Sequence, residues 1–81
     1  MNRFEDAIAR ELTGRLHTST RTVRILARWA GAAAPPGSMV DAAVALVLAQ
    51  VGEQDPQVVA ARLQAEYPRR FQRNWDGGPA H

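Results

Sequence analysis

The sequence predicts an all-α protein with a compact four-helix fold. Apolar residues recur every three or four positions in four separate segments, which is the spacing of one helix face. Capping residues, prolines and glycines fall between these segments, where helices begin and end. No segment alternates apolar and polar residues with the period of a strand. We therefore expect one helical domain over residues 1–75 and a flexible C-terminal tail over residues 76–81.

The first helix is expected over residues 3–16, and it opens the N-terminal helix pair. Arg15 interrupts its apolar face. The segment HTST, residues 17–20, follows, and its hydroxyl groups can accept hydrogen bonds from the free N–H groups at a helix start. The apolar face consists of Phe4, Ala7, Ile8, Leu12 and Leu16.

The second helix is expected over residues 20–33, with an apolar side and a basic side. It ends in GAAAPPGS, because Pro35 and Pro36 cannot continue a helical ladder. The apolar side consists of Val23, Leu26, Ala27 and Ala30, and the basic side of Arg21, Arg24 and Arg28.

The third helix is expected from Ser38 to about Val51, because Ser38 followed by Asp41 is close to a capping box. Its sequence AAVALVLAQV is apolar nearly all the way round, which favours either the central core helix or a helix shared between two subunits.

The fourth helix is expected to begin at Asp55 and Pro56, which fit the cap and the first helical position. It should end near Tyr67, because Pro68 follows. The residues expected to face the core are Val58, Val59, Leu63 and Tyr67.

Composition and charge narrow the class of protein. The 81 residues carry a net charge of +2, and all ten basic residues are arginine, which a GC-rich genome would explain. Up to Ser38, six arginines face three acidic residues, whereas the remainder has four arginines and five acids. Positive charge is thus concentrated in the N-terminal half. We find no secretion signal and no apolar run long enough for a membrane span, so a cytoplasmic protein is expected.

The sequence offers little for catalysis. Without cysteine there is no disulfide and no thiolate metal site, and only His17 and His81 could supply imidazole. Ser19 lies near His17, but a nucleophile also needs an orienting acid and an oxyanion site. Ser19 and Ser38 are better explained as helix caps. We predict a protein that is not an enzyme and that binds no metal or cofactor.

The segment GRLHTSTRTVRIL, residues 14–26, resembles the junction of helix-turn-helix DNA-binding proteins. The resemblance covers about residues 9–28 and implies that helix 20–33 is the recognition helix. It places Leu12 and Leu16 at buried positions of the first helix, and Val23 and Leu26 at buried positions of the second. Where the family's turn normally has glycine, this sequence has His17, which would then need a positive φ.

The arginine stripe, defined as Arg21, Arg24 and Arg28, supports the same hypothesis. Its members lie within about 60° of each other around the helix. Such a helix can enter the major groove, where arginine pairs with guanine and hydroxyl groups hold phosphates. The alternative is a solvated helix side, partly paired with acids of the first helix. The predicted DNA-binding residues are Ser19, Thr20, Arg21, Arg24, Ile25 and Arg28.

Our leading hypothesis is therefore a small helical DNA-binding protein, either a regulator or an accessory protein of a phage or mobile element. Its partner would be double-stranded DNA. A homodimer would suit a roughly palindromic site.

The rival hypothesis is a helical protein-interaction module, such as an adaptor, an inhibitor or an assembly subunit, that binds through Trp29 or through the tail with Phe71 and Trp75. It accounts better for the modest net charge. Trp29, at the border of the apolar side, could lie at the core edge, contact a protein or stack on DNA sugar. Near the C-terminus, arginines surround two aromatic residues, which suits a phosphate clamp, a protein-binding hot spot or a solvated tail. This second cluster consists of Arg69, Arg70, Phe71, Arg73 and Trp75.

Overall fold

The computed structural model describes residues 2–66, and in this part of the chain it contains four α-helices and no strand. The all-α prediction is confirmed. The tail expected over residues 76–81 and the core position expected for Tyr67 lie outside the described residues. The helices are α1 (Arg3–Arg15), α2 (Thr20–Ala33), α3 (Val40–Val51) and α4 (Pro56–Glu66).

Side chains just before three of the helices accept hydrogen bonds from their first turns. Asn2 Oδ1 accepts from the Glu5 N–H at 3.1 Å, and Ser19 Oγ accepts from the Thr22 N–H at 3.2 Å. Asp55 Oδ1 accepts from the Gln57 N–H at 2.9 Å. Each such cap stabilises a helix by about 1 kcal/mol, which explains why α2 and α4 begin where the sequence predicts.

The start of α3 differs from the prediction. Its cap is Met39, which makes no side-chain capping bond, and the helix begins at Val40. The hydroxyl of Ser38 instead donates to the Pro35 carbonyl at 2.6 Å, and the Ser38 N–H donates to the same oxygen. Gly37, with a φ of 83°, makes this turn possible. The predicted cap at Ser38 is wrong because a local turn uses its hydroxyl.

Helices α1 and α2 pack side by side in antiparallel orientation. Near the connection over residues 16–19, Thr13 and Thr20 line one groove. At the far end Glu5 contacts Arg28, and a Cβ at Gly31 would lie 3.8 Å from the Glu5 Cγ. Contacts thus run along both helices, as in an αα-hairpin.

Helix α2 is the centre of the fold, because it packs against each of the other three helices more extensively than α3, which also contacts all three. Helix α3 contributes an inner face to the core and is not buried all round. Val59 and Leu63 of α4 face the core as expected, but Val58 was expected there too and is 60% exposed. The largest fully buried side chains are Ile8, Leu12, Leu26, Val47, Val59 and Leu63.

Candidate interaction surfaces

The arginine stripe lies on the outer side of α2, next to acidic residues of α1. Arg24 Nη1 is 3.2 Å from Asp6 Oδ1, and Arg28 Nε is 3.2 Å from Glu5 Oε1. Arg21 is exposed and forms no ion pair or hydrogen bond with any described residue. Two of the three arginines therefore have the same-chain carboxylate partners that the alternative interpretation of the stripe required.

The two ion pairs differ in strength because they differ in exposure. The side chains of Arg24 and Asp6 are 58% and 37% exposed, so water and salt screen their attraction. An exposed pair of this kind contributes at most about 1 kcal/mol, and a phosphate could displace the carboxylate. The side chains of Arg28 and Glu5 are only 30% and 14% exposed. Arg28 is consequently the member of the stripe held most firmly against α1.

The beginning of α2 is built differently from the turn that the resemblance implies. No non-glycine residue in the range 2–66 has a positive φ, so the expectation for His17 is wrong. The chain instead turns through Leu16 and Ser19 in extended conformations, which any residue can adopt. Ser19 is engaged in capping α2, whereas Thr20 is exposed and Ile25 is half-buried beside α4.

A second surface of interest is the outer face of α3, opposite the core. Met39, just before the helix, is 76% exposed, and the three alanines of this face are also exposed. Leu46 is half-buried. In most surface helices the side away from the core is polar, so this face is unusual. The outer α3 face is defined as Met39, Ala42, Ala45, Leu46 and Ala49.

This face was not predicted as a site, although the sequence contains a signal for it. Met39, Ala42, Leu46 and Ala49 are spaced by three, four and three residues, which is the spacing of a helix seam in a coiled coil. The core-facing residues of α3 obscure that spacing, because they make the whole segment apolar.

One edge of the outer α3 face carries two opposite charges. Arg15 of α1 and Asp41 of α3 line the same groove, together with Ala45 and Leu48. Within the described part of the chain, neither Arg15 nor Asp41 forms an ion pair. The groove thus offers one cation and one anion to a partner.

Charge is balanced over residues 2–66 but unevenly distributed. Residues 2–66 contain seven arginines and seven acidic residues. Residues 2–38 hold six of these arginines and three of the acids, while residues 39–66 hold one arginine and four acids. The part containing α1 and α2 therefore has a net charge of +3, and the part containing α3 and α4 has −3.

Trp29 belongs to the core. It is 4% exposed and packs in the main hydrophobic cluster, as the core-edge interpretation expected. A partner cannot use its ring as a contact surface while α2 stays packed. The proposed secondary contacts at Arg69, Arg70, Phe71, Arg73 and Trp75 lie outside the described residues.

The structure assigns the chain to the all-α class, and comparison with known proteins adds no family. Between residues 2 and 66, no cluster of three or more histidine or acidic side chains could hold a metal ion. Within the same range, every helix is too short or too polar to cross a membrane. Comparison of the chain with family models, curated proteins and solved structures finds no match. Arguments about function therefore depend on the surfaces of this four-helix protein.

Proposed function

We propose that this chain is a helical protein-interaction module, which serves as an adaptor, an inhibitor or an assembly subunit. The observation that carries the proposal is the outer α3 face. A small soluble domain gains by burying an apolar face of this kind, and such faces mark protein-binding sites. Met39 at 76% exposure is a large flexible side chain that suits a contact of this type.

The electrostatics support this choice over nucleic-acid binding as the main function. Residues 2–66 have no net charge, whereas nucleic-acid binding domains are commonly basic. Glu5 and Asp6 also border the arginine stripe and would repel phosphates there. Arg15 and Asp41, one positive and one negative, line a groove at the edge of the outer α3 face.

The proposal is tested by affinity capture from the native host with the tagged full chain. Ala42→Glu places a carboxylate on the outer α3 face, at an exposed position in the first helical turn where negative charge favours the helix. We expect the wild type to capture a protein, including untagged copies of the chain, and Ala42→Glu to capture at least about tenfold less of it, a loss of 1.4 kcal/mol or more.

The matched control is Ala61→Glu, which makes the same change at an exposed position of α4 beside α2. It should capture the partner as the wild type does. Circular dichroism checks that both variants remain helical. Equal capture by Ala42→Glu and the wild type, or no captured protein at all, would exclude this function for the outer α3 face.

A second candidate function is DNA binding, with α2 as the recognition helix of a homodimeric regulator or accessory protein. The specific observation in its favour is Arg21, which is exposed and unpaired among the described residues, next to the exposed Thr20. The net charge of +3 over residues 2–38 would attract the DNA backbone.

Binding to random duplex DNA over a salt series tests this second candidate. If Arg21 contacts a phosphate, Arg21→Gln should reduce the slope of log affinity against log salt by about 0.9 for each subunit bound, or about 1.8 for a homodimer. Asp6→Asn should strengthen binding, because it releases Arg24 from its carboxylate. Arg62→Gln, on α4, serves as the control and should leave the slope unchanged. Absence of binding at about 50 mM salt would remove the DNA hypothesis.

A further inference from the structure

We infer that the partner of the outer α3 face is a second copy of this chain, with the two α3 helices antiparallel around a two-fold axis. This inference rests on the proposed interaction function and names its partner. In a two-fold interface the same patch is used on both copies, so the patch must complement itself. The outer α3 face does so in both size and charge.

Complementarity in size comes from the order of large and small side chains along the face. Met39 and Leu46 are large, whereas Ala42 and Ala49 are small. An axis passing beside residue 44 places Leu46 of each copy opposite Ala42 of the other. The same axis places Met39 of each copy opposite Ala49 of the other. Each layer then joins one large and one small side chain, which allows close packing.

Complementarity in charge comes from the edge occupied by Arg15 and Asp41. In an antiparallel two-fold pair, the same edge of both helices lies on the same side of the interface. Asp41 of one copy then lies level with residue 47 of the other, less than a helical turn from the groove beside Leu48 where Arg15 lies. Each Arg15 can thus pair with Asp41 of the second copy.

Other features of the chain are compatible with self-association. Residues 2–66 carry equal numbers of positive and negative residues and the full chain has a net charge of only +2, so two copies repel each other little through net charge. A chain of this size also buries only about 60% of its unfolded surface by itself. A subunit interface would extend the apolar core through α3.

Sedimentation velocity of the full chain over a dilution series tests the inference. We expect the wild type to dimerise in the micromolar range, and Ala42→Glu to weaken dimerisation about 100-fold or more, because two unpaired carboxylates enter the interface. Ala61→Glu should dimerise like the wild type. If the wild type remains monomeric up to about 100 µM, or if Ala42→Glu dimerises equally well, the inference is wrong.

A charge-exchange experiment tests the pairing between copies. Arg15→Glu and Asp41→Arg should each weaken self-association about tenfold, because like charges then face each other. A mixture of the two variants should form a heterodimer of near wild-type affinity, since both pairs between the chains are again opposite in sign. Pairing within one chain could not produce this rescue. A mixture that associates no better than its components would overturn the proposed arrangement.

Different results would exclude the second copy as partner and the interaction function itself. If the chain is monomeric in solution but captures another host protein that Ala42→Glu no longer binds, the second copy is excluded and the interaction function stands. If neither self-association nor capture is sensitive to Ala42→Glu, the outer α3 face has no such function.

Discussion

Replacing Leu26 with alanine is expected to lower the free energy of unfolding by about 3 kcal/mol. Leu26 is fully buried in α2, which packs against all three other helices and most extensively against α1. Its removal would therefore leave a cavity in the hydrophobic core, and helices fixed on several sides can close such a cavity only in part. In a chain of this size, the loss corresponds to a decrease in Tm of roughly 12 to 24 °C.

Urea unfolding followed by circular dichroism measures this loss, and Ile25→Ala provides the comparison. Ile25→Ala removes a side chain of similar size from the neighbouring position. The side chain of Ile25 is only half-buried. We expect Ile25→Ala to cost clearly less than Leu26→Ala. A cost below about 1 kcal/mol for Leu26→Ala would mean that α2 is not the centre of the fold.

Trp29→Ala is expected to cost about 3 to 5 kcal/mol, because it removes the largest side chain of the core. Trp29→Phe should cost much less, since it preserves an aromatic ring and most of the buried area. Thermal unfolding of both variants measures the difference. The prediction separates the two roles considered for Trp29. If Trp29 were a surface contact, its substitution would reduce partner binding and leave Tm nearly unchanged. If Trp29 is a core residue, its substitution lowers Tm.

Helix boundaries could be predicted from the sequence wherever a strong local signal exists. The bounds of α2 agree with the prediction, because Ser19 caps its start and Pro35 follows its end. The expected cap of α3, Ser38, was one residue too early, because Met39 is the cap. A serine hydroxyl can cap a helix or bond to a preceding carbonyl, and only the turn at Gly37 decides between these partners.

The pairing of the arginine stripe could not be determined from the sequence. Glu5 and Arg28 are 23 residues apart, and Asp6 and Arg24 are 18 apart. Their contacts depend on how the two helices are aligned, which is set by packing along the whole hairpin and by the turn at residues 16–19. Helical periodicity places the arginines on one side of α2, but it does not identify the residues of α1 that face them.

The outer α3 face could not be identified from the sequence for a different reason. Periodicity identifies a buried side when polar residues mark the opposite one, and α3 has almost no such contrast. The sequence therefore left open whether α3 is a core helix or a helix shared between two subunits. Val47 and Val51 point inward, which leaves Leu46 and the alanines at the surface.

The connections between the helices are short, with four, six and four residues at positions 16–19, 34–39 and 52–55. Helices that follow one another in the sequence are therefore close together before any tertiary structure forms. The loss of loop entropy when they pack against each other is small. Helical domains of this topology fold within microseconds to milliseconds. A chain emerging from the ribosome would thus hide Leu26 and its neighbours almost as soon as α4 is released, which leaves little time for aggregation.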